Sequence, residues 1–218
     1  MQTGETVTIV RGDEELLART ASLFATATEI SCAANDLGTW TLTHGSADLD
    51  ELARTRRDDV RVRKVYRPGV LLDPASAQGL VRVQEVHGAQ IRITPDELNE
   101  TILFDRRVAI LAGDVHAGRR SYSVVTQPET VQGVTSLFEA VWRSATDLAV
   151  YDARTAELRQ LAPQVLDLLV QGCKDETAAR RLGLGVRTYR RRVAELMAAL
   201  GAESRFQAGV RARELGLV

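Results

Sequence analysis

Long apolar runs are missing from this 218-residue chain. No stretch approaches the ~18 consecutive apolar residues that a bilayer-spanning helix needs, so no membrane partner is expected. Cysteine is nearly absent. Cys32 and Cys173 are too few for a disulfide framework or a thiolate zinc site, so neither a structural metal nor a cofactor is expected. Lysine is as scarce: among 28 basic side chains only Lys64 and Lys174 are lysines, and the other 26 are arginines. Chemistry that needs a positioned ammonium has almost nowhere to sit. The opening Met1-Gln2-Thr3-Gly4-Glu5 has no basic stretch leading into an apolar one, so no secretory leader is expected and a cytoplasmic location is.

What is present fits a globular chain of one large or two small domains, with 44% apolar and 26% charged residues. A formal net charge of −1 hides an asymmetry. Residues 1–151 hold 16 basic and 21 acidic side chains, a balance of −5; residues 152–218 hold 12 and 8, a balance of +4. A basic tail joined to an acidic larger part implies that only the tail meets a polyanion.

Up to about residue 144 the pattern alternates. Strands are expected at Thr6–Val10, Glu29–Ala34, Val60–Tyr66, Gln90–Thr94 and Ser121–Thr126, and Thr101–Phe104 and Val108–Leu111 read as a hairpin. Helices are expected at about Asp13–Thr28, Asp48–Asp58, Pro74–Val86 and from Pro128, where Val131, Val134, Leu137, Phe138, Val141 and Trp142 recur at helical spacing. Such interspersion argues an α/β domain, a mixed sheet with flanking helices. Beyond Ala145 all periodicity is helical. The division expected is residues 1–146, a polar linker over 147–157, and an all-α four-helix domain over 158–218. Pro163 is expected to begin or kink the first of those helices.

The helix over Val186–Leu200 splits by face. Tyr189, Val193, Leu196, Met197 and Leu200 form a core stripe, whereas Arg187, Arg190, Arg191 and Ala194 fall at i, i+3, i+4 and i+7 on another face. Three guanidiniums and one small residue then line a ridge able to meet guanine O6 and N7 or phosphate. Arg192 lies off that ridge and is expected to touch backbone or a carboxylate. A short helix, Thr177–Leu182, precedes it across Gly183, the order of a helix-turn-helix. Lys174 and the start of that short helix could hold a phosphate.

Leu168-Leu169-Val170-Gln171-Gly172, Ala178-Ala179-Arg180-Arg181-Leu182-Gly183, Arg187-Thr188-Tyr189-Arg190-Arg191-Arg192-Val193 and Ser204-Arg205-Phe206-Gln207-Ala208 together resemble the DNA-binding module of LuxR-type regulators. That resemblance implies double-stranded DNA as partner, base-facing positions at Arg190, Arg191 and Ala194, and phosphate-facing ones at Lys174, Arg187 and Thr188. It also implies a homodimer paired through the last helix, whose start at Ser204 and Gln207 reads as a capping box.

A DNA-binding tail implies a sensor ahead of it. A phosphorylatable receiver would need a late lysine, and none occurs between Lys64 and Lys174; an acyl-homoserine-lactone pocket would be rich in aromatics, and Trp40 and Trp142 are the only tryptophans. Val62–Leu72, Gly88–Ile93 and Leu98–Leu111 instead resemble the phospholipase-D-like domain that accompanies LuxR-type modules in some actinobacterial regulators. Its catalytic relatives carry His-x-Lys-x4-Asp before such a hairpin: the histidine attacks phosphorus and the lysine neutralises phosphate oxygens. Aligned on Asp105, this chain has Leu98 and Glu100 there, and none of His44, His87 and His116 has a lysine two residues on. The resemblance therefore implies a disarmed scaffold and no enzyme activity, with Tyr66, Arg67 and Asp105, at strand ends, as candidate ligand-binding residues. Asp105 and the Arg67-Pro68-Gly69 turn also admit a purely structural reading. The function expected is a transcription regulator whose first domain answers a small-molecule or protein effector. The rivals are a phosphodiesterase or nuclease guided to DNA, and a dimerisation module with no small ligand.

Overall fold

The computed structural model describes residues 6–35 and 60–218. The helix expected over Asp48–Asp58, with Trp40 and His44, lies outside the described residues. Among the described residues eight strands form one mixed sheet: β1 (Val7–Arg11), β2 (Glu29–Ala34), β3 (Arg61–Tyr66), β4 (Gln90–Ile93), β5 (Thr101–Phe104), β6 (Val108–His116), β7 (Arg119–Val125) and β8 (Thr146–Asp147). Their order is β1-β7-β6-β5-β2-β3-β4-β8. The β2–β3 and β3–β4 pairs are parallel and the other pairs antiparallel.

The central strands are covered on both faces, which is why β2 and β3 are buried almost throughout. Alternate residues divide between two cores, as the pleat requires. Ile30, Cys32, Val62, Tyr66 and Ile91 pack with Leu16 of α1 (Asp13–Thr26) and Leu80 of α2 (Pro74–His87). Ala33, Val65, Leu103 and Ala109 pack with Val131, Phe138 and Trp142 of α3 (Pro128–Ser144). The start of α2 is set by Asp73, whose side chain accepts from Ser76 N at 2.7 Å, with Pro74 in the first turn; Gly88 in the left-handed region stops it.

The strand expected at Val108–Leu111 runs on to His116, so residues 113–118 are the outer half of β6 and a tight hairpin into β7. A bulge between Ala112 and Val115 carries the strand past the end of its apolar alternation. Ala117 and Gly118, at φ 50° and 76°, then make the two-residue turn.

Four helices follow: α4 (Leu148–Val170), α5 (Asp175–Arg181), α6 (Val186–Leu200) and α7 (Arg205–Glu214). Leu158, Val165, Leu166, Ala178, Tyr189, Val193, Leu196 and Ala208 form their core. Residues 148–157, expected within a linker, are the first turns of α4, and Asp147 caps them by accepting from Ala149 N at 3.0 Å. Their polar side chains mark an outward face rather than irregular chain. Pro163 lies well inside α4 instead of at its start.

The helices are seated on the sheet at the end of β3. Leu72, just past the 3-10 turn Pro68–Leu71, is fully buried in the helical core. Arg159 of α4 donates from Nε to the Leu71 carbonyl. A Cβ on Gly69 would lie 2.8 Å from Leu215 Cδ1, and one on Gly201, the αL residue ending α6, would meet the Arg67 guanidinium. A cation there complements the negative end of α6. At its other end α4 contributes Leu148 and Tyr151 to the core beneath α1 and α2.

Candidate nucleic-acid interface

The amphipathic stripe of α6 fixes what it presents. Tyr189, Val193, Leu196 and Leu200 are buried, so Arg187, Arg190, Arg191 and Ala194 are left exposed along the outer face. Thr188 is half-buried at the edge of that ridge, and Lys174 is exposed at the start of α5. The turn between α5 and α6 is held by Leu184 N donating to the Ala179 carbonyl at 2.8 Å, around Gly183 at φ 65°. The structure thus gathers all six expected DNA-facing residues on the α5–α6 side of the helical part.

The arginines differ in what holds them. Arg187 has no ion pair among the described residues, and Arg191 approaches Glu195 at 3.7 Å. Arg190 donates from Nε to Asp175 Oδ2 at 2.7 Å and lies 3.5 Å from Glu176 Oε1. Arg205 of α7 donates to the other oxygen of Asp175, also at 2.7 Å. The hydrogen bonds from Arg190 and then Arg205 hold the Asp175 carboxyl below the ordinary carboxylate range. Arg192 is buried and pairs with Glu195 at 2.8 Å and with Glu157. The first turn of α5 carries Asp175 and Glu176, whose negative charge opposes a phosphate at that helix start, so a phosphate there would rely on Lys174.

Sequence reasoning missed Asp175. Its partners lie 15 and 30 residues away on two other helices, and only the tertiary packing brings them together. Ser204 accepts from Gln207 N at 3.1 Å, as a cap should, but the Gln207 side chain receives Glu203 N at 2.7 Å.

The second expected site does not assemble. Asp105, at φ 48°, accepts from Thr28 N, Thr28 Oγ1 and Glu29 N at 2.8, 2.9 and 2.8 Å, and so ties the β5–β6 turn to the start of β2. Tyr66 pairs with Ala34, at the far end of β2 from Glu29, so about 16 Å of strand separates Asp105 from it. Tyr66 is fully buried in the core, and Arg67 donates to the Pro95 carbonyl at 3.4 Å beside α6. A cleft of about 1120 Å³ opens instead between the starts of α1 and α2 and the chain's last residues. Asp13, Arg119, Arg120 and Tyr122 line it with Leu215 and Leu217, and none of Tyr66, Arg67 and Asp105 does. In its wall the Tyr122 hydroxyl donates to Asp13, and Arg120 pairs with Glu100. Leu98, two residues before Glu100, is buried. His116 ends β6 as an exposed residue facing Arg119 across the hairpin.

The sheet and its helices have the phospholipase-D-like fold. Nuc from Salmonella typhimurium, a phospholipase D family member, matches with a TM-score of 0.50 at 14% identity, over 65% of this chain and 96% of its own. NucT from Helicobacter pylori matches with a TM-score of 0.50 at 10% identity, over 65% of this chain and 98% of its own. In sequence, the bialaphos biosynthetic pathway regulatory protein of Streptomyces hygroscopicus is 34% identical over 139 residues, 62% of this chain. The chain spans 54% of that relative's length. No family model matches the chain. Among the described residues no helix is long and apolar enough to cross a membrane.

Proposed function

We propose that this chain is a sequence-specific DNA-binding transcription regulator of the LuxR type. Residues 158–218 act as a four-helix helix-turn-helix domain, and residues 1–146 as a phospholipase-D-like domain that cleaves nothing. The observation that carries the reading is the exposed ridge of Arg187, Arg190, Arg191 and Ala194, backed by a helix face fully committed to the core. A ridge of that shape can lie in a major groove, with arginine forks aimed at base edges and small Ala194 permitting close approach. The similarity to a regulatory protein supports the same reading.

The dimer belongs to this proposal. Phe206 is 83% exposed and Val210 43% on the side of α7 away from the helical core. A second copy of the chain is the self-complementary partner that would cover both. Paired modules would read half-sites roughly 34–36 Å apart. The cleft between α1, α2 and the C-terminal residues is the proposed effector site, and an effector acts there only by favouring one arrangement over another. Hydrolysis has no place in this reading. Glu100, where the resemblance puts a catalytic lysine, is a carboxylate already paired with Arg120.

Selection of duplexes from a random library by the purified full chain tests the proposal. On the selected duplex Arg191→Ala is expected to cost about 1–3 kcal/mol of binding. Lys174→Ala is expected to weaken all sequences alike and to lower the slope of log affinity against log salt by about one. Failure to select any duplex, or parent-like binding by both variants, overturns the reading. Turnover of a generic phosphodiester would overturn its non-catalytic part.

A further inference from the structure

We propose that Asp175 is the positioning residue of the DNA-reading ridge: it holds Arg190 in one orientation and so sets which bases that arginine can accept. The inference rests on the DNA-binding reading and deepens it. Asp175 stands in the first turn of α5, with its side chain only 13% exposed, and uses both carboxylate oxygens. Oδ2 accepts from Arg190 Nε and Oδ1 from an Arg205 terminal nitrogen, each at 2.7 Å. One carboxylate thereby binds the recognition helix to the helix after it.

The consequence follows from the planarity of guanidinium. With Nε engaged, the plane of the Arg190 head is fixed, and the end-on fork formed by its two terminal nitrogens keeps hydrogens for an outside acceptor. That fork is the geometry that meets guanine O6 and N7 together. The Arg190 side chain is 60% exposed and its other carboxylate neighbour, Glu176, is 3.5 Å away and 61% exposed, so without Asp175 it would sample many rotamers and reach phosphates as readily as bases. Arg187, with no ion pair among the described residues, is the internal contrast. A carboxylate on a DNA-facing surface also repels phosphate. Asp175 therefore costs general affinity, and besides joining the two helices it contributes discrimination.

The sign of that trade gives the test. The full chain first selects a duplex from a random library, and binding to it and to scrambled duplex is then compared for Asp175→Asn, Asp175→Glu, Arg190→Ala and Arg205→Ala. Asp175→Asn is expected to bind scrambled duplex at least as tightly as the parent, while the selected-to-scrambled ratio falls about tenfold. A repeated selection with Asp175→Asn should relax the same base positions that Arg190→Ala relaxes, and no others. Asp175→Glu should recover part of the preference, and Arg205→Ala should leave it in place. Parent-like base preference in Asp175→Asn, or an even loss at all positions, overturns the inference, because a merely structural role would blur every position together. Melting curves of each variant separate unfolding from relaxed reading, and Asp175→Ala serves if Asp175→Asn does not fold. If the parent selects no duplex at all, it is the DNA-binding reading that has failed.

Discussion

Asp105 shows how much one side chain can settle. Burial works to raise its carboxyl, but the N–H groups of Glu29 and Thr28 and the Thr28 hydroxyl outweigh this and leave it below the ordinary carboxylate range. A depressed folded value stabilises above the unfolded carboxylate's pKa of about 3.9, and that stability is lost as pH falls through the lower folded value. Asp105→Ala is expected to cost about 1.5–3 kcal/mol in urea unfolding at neutral pH. Asp105→Asn, which tolerates the positive φ and keeps a neutral acceptor, should cost less and flatten the acid limb of the stability profile. Equal stability of parent and Asp105→Ala at pH 7 would contradict this. The two cysteines offer a second check. Burial pushes the Cys32 thiol up to about 12, whereas Cys173 is partly exposed. A thiol reagent at pH 8 should therefore label Cys173 on the native chain and Cys32 only after unfolding.

Among the elements, α3 is tied to the sheet by charge as well as by apolar packing. Arg63 on β3 donates to Glu139 at 2.7 Å and to Glu29 at 2.8 Å, with its head against the rings of Phe138 and Trp142. Its hydrogen bonds hold the Glu139 carboxyl low, although some burial acts the other way. Arg63→Ala leaves Glu139 and Glu29 facing the more exposed Arg106, at 3.1 and 3.6 Å, over an apolar face and is expected to cost about 3 kcal/mol, and Arg63→Met less. Denaturant midpoints, with amide exchange along α3, measure both. Elements with a strong period were legible in the sequence: the two faces of α6 follow from apolar spacing alone, and the helix expected at Pro74–Val86 is α2 but for its last residue. The outer half of β6 was not, because the bulge at Gly113-Asp114 breaks alternation without ending the strand. The first turns of α4 were not, because Asp152, Arg154 and Thr155 look like a linker when they are the solvent side of a helix. The grouping of Asp105 with Tyr66 and Arg67 failed for a topological reason. Both positions end strands, but strand direction reverses between β3 and β5, so the two ends are opposite edges of the sheet.

At the scale of the molecule, the two cores are not independent. Leu72 leaves the sheet to fill the helical core, and Arg67, Gly69 and Leu71 all touch α4, α6 or α7. Calorimetry of the parent is expected to give one cooperative transition. Leu72→Ala, which removes about 2–5 kcal/mol of buried contact, should divide it into two. Two transitions already in the parent would show that the seat is weak. The α4 helix has a further consequence, since it runs without a break from Leu148 beneath the sheet to the core around Leu166. An unbroken helix works as a drive shaft, whose length sets the azimuth of whatever it carries. One inserted residue between Tyr151 and Leu158 would turn the arginine ridge of α6 by about 100° and pull Leu72 from its seat, whereas seven would nearly restore the angle and shift it about 10 Å along the axis.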